Sequence, residues 1–121
     1  MSELGGLIYF IHFETPLAHA HHYVGWTASA WNLRLRLGHH RSGNGARLMA
    51  AVEKAGIRWC VVEVRAGTRT DERRVKNRKD YGKRACPVCT GRRLACFETG
   101  CGKTYRYAGW LRRHQLATGH T

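Results

Sequence analysis

Leu7-Ile8-Tyr9-Phe10-Ile11-His12-Phe13, then His22-Tyr23-Val24-Gly25-Trp26-Thr27, then Asn32-Leu33-Arg34-Leu35-Arg36-Leu37-Gly38-His39-His40: the reading of these three segments decides the fold. The first is rich in aromatic and branched residues, as a buried strand is. Glu14-Thr15-Pro16 reads as a turn, and the second segment as the antiparallel partner. The connection carries His19, His21 and His22, which read as substrate-facing polar groups because no cysteine lies beside them to complete a metal site. The third segment continues a helix from about Ser29 to His40, with Thr27 or Ser29 as its N-cap. Leu33 and Leu37 share a face at i, i+4, joined by Ala30, while Arg36 and His40 sit at its border. Taken alone, that pair reads as a solvated Arg and a helix-end His favoured by the dipole.

Outward from this stretch, Arg41-Ser42-Gly43-Asn44-Gly45 is a turn, and residues 46–55 are strong helix formers stopped by Gly56. Ile57 to Val64 reads as a third strand with Trp59, Val61 and Val62 in the core, and Cys60 as a buried thiol. After Arg65-Ala66-Gly67 comes a basic helix from about Thr70 to Lys79, with Asp71 and Glu72 in its first turn. The order strand, strand, helix, helix, strand, helix predicts an α+β fold: a three-stranded antiparallel sheet flanked by helices.

The net charge of +13 and pI near 10.3 are extreme for 121 residues, and solubility alone does not require them. The charge is uneven. Residues 65–93 carry eleven Lys/Arg against Asp71, Glu72 and Asp80, whereas residues 1–64 carry six against four acids. A polyanionic partner explains that asymmetry better than a merely solvated face. A membrane partner is not expected, since no stretch is both amphipathic and basic and none approaches the roughly 20 apolar residues of a span. The N-terminus lacks the basic start and cleavage site of a signal peptide, so an intracellular, cytoplasmic location is expected. In a reducing compartment, five cysteines suggest metal binding over disulfides.

Two short tyrosine-bearing strands followed by a helix with Arg36-x-x-x-His40 resemble the core of the GIY-YIG endonuclease family. Leu7-Ile8-Tyr9 stands where that family has Gly-Ile-Tyr, with Leu7 replacing the glycine, and Tyr23-Val24-Gly25 stands for Tyr-Ile-Gly. The resemblance covers about residues 4–85 and implies the same three-stranded sheet. It implies that Glu72 is the metal-binding glutamate, holding Mg²⁺ (or Mn²⁺) with several waters. Without it, Asp71 and Glu72 simply complement a helix N-terminus, and Asp71 remains the better cap. It further implies that Arg36 binds the phosphate oxygens, that Tyr9 or His40 takes the proton of the attacking water, and that Tyr23 orients phosphate or water. The family's late asparagine falls near Asn77 or Asp80, and neither is assigned.

Cys96-x4-Cys101-x12-His114-x5-His120 has the spacing of a CCHH-type zinc finger, with Tyr105 and Leu111 at its usual hydrophobic positions. A segment of about 25 residues has too little core to fold without the metal. Counting back from His114 puts Tyr107, Trp110 and Arg113 at the helix positions that meet bases in this class. Arg113 suits guanine; the two aromatics suit stacking on unpaired bases. Cys86-Pro87-Val88-Cys89 stays open among several readings: half of a second zinc site, an all-cysteine site with Cys96 and Cys101, or a pair completed by histidines or a second chain.

The expected organisation is a nuclease-like domain over residues 1–85, a basic CxxC linker over 86–93 and a ββα-type finger over 94–121. The expected function is metal-dependent hydrolysis of phosphodiester bonds in nucleic acid, DNA foremost, with the zinc finger assisting binding. The alternative is a nucleic-acid-binding zinc protein whose GIY-YIG-like fold has lost turnover.

Overall fold

The computed structural model describes residues 5–78, 81, 85–98 and 100–120. In chain order these form β1 (Leu7–Leu17), β2 (Ala20–Thr27), α1 (Ala30–Arg41), α2 (Arg47–Lys54), β3 (Trp59–Ala66), α3 (Arg69–Arg78), β4 (Leu94–Ala95), β5 (Thr104–Tyr105) and α4 (Ala108–Thr118). Lys79 and Asp80 lie outside the described residues. The fold is α+β, with an antiparallel three-stranded sheet in the order β2-β1-β3 and a separate β4-β5 pair.

The β1–β2 hairpin is longer than the sequence suggests. Glu14-Thr15-Pro16 is not the turn: β1 runs on to Leu17, and the chain reverses at Ala18-His19, where Ala18 adopts a φ of 53°. Pro16 is tolerated because β3 ends its pairing at Phe13, and the β1–β2 register shifts between His12 and Leu17. The missing N–H therefore interrupts no regular ladder. His21 and His22 consequently belong to β2 and not to a loop, and His22 lies directly opposite His12.

Alternation along β1 divides the molecule. Tyr9, Ile11 and Phe13 face one way and pack with Leu33 and Leu37 of α1, Met49 and Val52 of α2, and Trp59 and Val61 of β3. Ile8 and Phe10 face the other way and pack with Cys60, Val62, Tyr81, Cys86, Leu94 and Leu111. A register shift between Phe10 and Ile11 leaves Val62 as the extra residue of β3, so that Val64 returns to the face of Val61. The C-terminal third is thus the second cover of the sheet. Gln115 of α4 locks it there, accepting from Val61 N at 3.1 Å and donating to Val61 O at 2.8 Å. Leu7 sits in regular pairing with Thr27 and Ala66.

Local signals explain the helix starts. Ser29 caps α1, its hydroxyl accepting from Asn32 N at 3.2 Å. Thr68 and Asp71 form a reciprocal box ahead of α3: Asp71 N donates to Thr68 Oγ1 at 3.1 Å, and Thr68 N to Asp71 Oδ2 at 2.9 Å. Hydrogen bonds from the Thr68 backbone and side chain to the Asp71 carboxylate hold it below its ordinary pKa. Thr68 is the cap and Asp71 closes the box from within the first turn, whereas Glu72 takes no part in it. Among the described residues no helix is long and apolar enough to cross a membrane.

Candidate functional site

The face covered by α1 brings together four of the residues singled out in the sequence. Tyr9 is fully buried, and its hydroxyl lies 2.9 Å from Nε2 of the equally buried His40. Tyr23 closes the group, its ring centroid 6.0 Å from that of Tyr9 and 5.3 Å from that of His40. Arg36, one turn before His40 on α1, sets its guanidinium beside both phenols.

Two glycines make room for this group. Gly25 pairs with Tyr9 across the strands, and a Cβ there would lie 2.3 Å from the Tyr9 ring. A Cβ on Gly45 would lie 2.1 Å from Nδ1 of His40, a buried nitrogen with no hydrogen-bond partner among the described residues. The glycine of Tyr23-Val24-Gly25 is therefore a packing requirement of Tyr9.

Burial sets the protonation states. It raises the Tyr9 pKa well above the phenol value, with Tyr23 adding to the effect and Arg36 opposing it. It depresses His40 to about 4, and the neighbouring Arg36, His39 and Arg41 push in the same direction. Partial burial works against the charge of Arg36, but Tyr9 and Tyr23 outweigh it and hold that pKa above its ordinary value. At neutral pH the group is a neutral phenol bonded to a neutral imidazole, with a fixed cation alongside.

Glu72 stands at the margin of this group. Its side chain is 18 % exposed, and its carboxylate lies 3.5 Å from Nζ of Lys76, which in turn lies 5.7 Å from the centre of the Tyr23 ring. An open cleft of about 1160 Å³ runs along the β2 edge, lined by Tyr23, Lys76, Arg47, His21 and Tyr81 among others. Of the group, Tyr23 borders this cleft and Tyr9, Arg36 and His40 do not.

Two Cys/His groups are able to hold a metal such as zinc: Cys96, Cys101, His114 and His120 in the C-terminal unit, and His12, His22, Cys86 and Cys89 beside the sheet. In the first, Cys101 Sγ lies 3.5 Å from His114 Nε2, which lies 3.2 Å from His120 Nδ1. A tetrahedral zinc bound at about 2.0–2.1 Å by nitrogen and about 2.3 Å by sulfur sets two nitrogens about 3.3 Å apart, and nitrogen and sulfur about 3.5 Å apart. These two distances match that spacing, and all four donor atoms lie within 4.8 Å of one another. Leu111 is fully buried and Tyr105 half-buried, so the residues expected to fill this unit do so. The second group draws on His12 and His22, which the sequence reading placed in a strand and among substrate-facing residues.

α4 begins at Ala108, which makes Tyr107, Trp110 and Arg113 its positions −1, 3 and 6. All three are exposed, and Tyr107 meets Trp110 edge to face at a centroid distance of 4.8 Å. With Arg58 and Arg112 they line an open groove of about 600 Å³. In comparison with known proteins, the chain matches no protein-family model, no curated protein and no solved structure.

Proposed function

We propose that this chain is a GIY-YIG-type endonuclease that hydrolyses phosphodiester bonds in nucleic acid, principally DNA, with a CCHH zinc finger assisting substrate binding. The observation that carries the reading is the convergence of Tyr9, Tyr23, Arg36 and His40 on one face of the sheet, with Tyr9 hydrogen-bonded to a neutral His40. Folding needs no buried, poorly solvated phenol–imidazole pair beside an arginine, whereas in-line hydrolysis needs a proton acceptor next to an anion-binding cation.

Arg36 donates hydrogen bonds to the non-bridging phosphate oxygens and gains strength as charge accumulates on them. Substrate binding must open a path past Tyr23 to the buried Tyr9, so that the attacking water gives its proton to the Tyr9 oxygen while Tyr9 gives its own to Nε2 of His40. The raised pKa of Tyr9 rules out a resting phenolate, and the lowered pKa of His40 keeps a lone pair ready, so a relay suits the pair better than either group alone. The new oxygen–phosphorus bond forms as the bond to the departing sugar oxygen breaks, and that oxygen takes its proton from solvent. Tyr23 orients the phosphate from the cleft side.

Glu72 is the carboxylate for Mg²⁺. A mostly covered carboxylate whose partner Lys76 lines the cleft suits an ion that keeps several waters, and the half-exposed Lys76 can swing from it to the substrate backbone. Bound there, the cation would offset negative charge on the phosphate and the leaving oxygen. The finger and the basic stretch hold the strand; Tyr107 and Trp110 offer stacking faces and Arg113 a charge.

The test is incubation of zinc-replete protein with supercoiled plasmid and end-labelled single strands, with and without added Mg²⁺. Mg²⁺ is withheld, not chelated, so that the zinc sites stay filled. Cleavage confined to the Mg²⁺ samples is expected. Salt-dependent binding with no cleavage under any condition would replace this reading with the non-catalytic one.

A further inference from the structure

The opposite face of the same strands carries a second constellation. His12 follows Ile8 and Phe10 in the row that faces the C-terminal third, and His22 pairs with it across the hairpin. Over this pair lies the turn Cys86-Pro87-Val88-Cys89. Thr90 N bonds to Cys86 O at 3.0 Å, Arg92 N to Pro87 O at 2.8 Å, and Gly91 takes a φ of 71°. That knuckle sends both sulfurs to one side.

Four distances define the arrangement. His12 Nδ1 lies 3.2 Å from His22 Nε2 and 3.5 Å from Cys86 Sγ, while Cys89 Sγ lies 3.5 Å from His22 Nε2 and 3.8 Å from His12 Nδ1. All four donor atoms lie within 4.8 Å of one another. Pairwise hydrogen bonding explains any one of these contacts, but it does not require four donors to surround one point. A tetrahedral zinc does, with edges of about 3.3 Å between nitrogens and about 3.5 Å between nitrogen and sulfur. A two-iron cluster is a poor fit, because it would place the sulfurs on one iron and the imidazoles on the other, whereas Cys89 touches both imidazoles.

We propose that His12, His22, Cys86 and Cys89 bind a zinc ion that fastens the chain after α3 onto the second face of the sheet. The site is closed by four protein ligands, which marks it as structural. Its ligands come from β1, from β2 and from a turn 74 residues beyond His12, so one ion ties the hairpin carrying Tyr9 and Tyr23 to the segment leading into the finger. Tyr81 covers it, meeting the His22 ring edge-on at 5.3 Å and stacking on Phe10 at 4.3 Å. The proposal stands independently of any nuclease activity.

Elemental analysis of protein purified without chelator tests it. We expect about two zinc ions per chain in the wild type, about one in Cys89→Ser, and about one in Cys96→Ser. Cys89 is exposed, so its replacement leaves no cavity. A second measurement needs no variant: an exposed free thiol reacts quickly with a disulfide reagent, and a zinc-bound one does not. Cys89 should be protected in the native protein and become reactive once a strong chelator is added. Zinc content unchanged by Cys89→Ser, or a fast-reacting Cys89 in zinc-replete protein, would each overturn the proposal.

Discussion

The two faces of one hairpin have been given opposite chemistry by side-chain alternation alone. On one face Tyr9 and Tyr23 meet Arg36 and His40 from α1, and the result is a cation, a phenol and an imidazole kept neutral by burial. On the other, His12 and His22 meet two cysteines, and the four donor atoms lie within 4.8 Å of one another. On the first face only Tyr23 borders the cleft along β2, and Tyr9 and His40 are fully buried; on the second, His22 and Cys89 border that cleft and Cys86 is buried. The difference teaches which histidine chemistry to expect. A histidine facing a phenol and an arginine is set up to move a proton, and a cross-strand pair facing a cysteine knuckle to hold an ion.

If the faces are functionally separate, damage to one should spare the other. Arg36→Ala has the largest expected effect short of losing the metal carboxylate. By analogy with the removal of one oxyanion donor, turnover should fall about 10²–10³-fold, with zinc content unchanged. A loss confined to KM would make Arg36 a simple phosphate anchor. Gly25→Ala is a narrower lesion on the same face. Its new methyl would collide with the Tyr9 ring, so unfolding by denaturant should show a loss of about 1–3 kcal/mol, and cleavage should fall with it. Unchanged stability and rate would mean that Tyr9 is not held as described. Trp110→Ala should have the smallest effect. Tyr107 remains beside it to support a base, so affinity for single strands should drop by about 1 kcal/mol, the low end for stacking, while duplex affinity barely changes. Equal losses on both substrates in matched titrations would assign Trp110 to packing the unit or reading duplex shape.

What was legible in the sequence was what lies close together in it. The sheet and its helices followed from short apolar runs and their punctuation, and the donors of the C-terminal cluster lie within 25 consecutive residues. The second cluster depends on two facts that local pattern does not contain. One is the true position of the hairpin turn at Ala18-His19, which sets His12 opposite His22; the apparent turn at Pro16 hid it. The other is the return of the chain over the sheet, which carries Cys86 and Cys89 to those imidazoles. Parity along β1 was the available signal, since His12 shares the even positions of Ile8 and Phe10. Gln115 was equally hidden, because a polar residue on a helix announces nothing until a strand backbone meets it.

Cleavage by Glu72→Ala at matched zinc content is the most direct test of the central claim. The variant removes the carboxylate assigned to Mg²⁺ and touches neither Cys/His group. It should retain both zinc ions and nearly wild-type affinity for nucleic acid, while single-turnover cleavage with Mg²⁺ falls to background. Wild-type cleavage by the variant would contradict the account, because catalysis would then not depend on the face of the sheet to which it has been assigned.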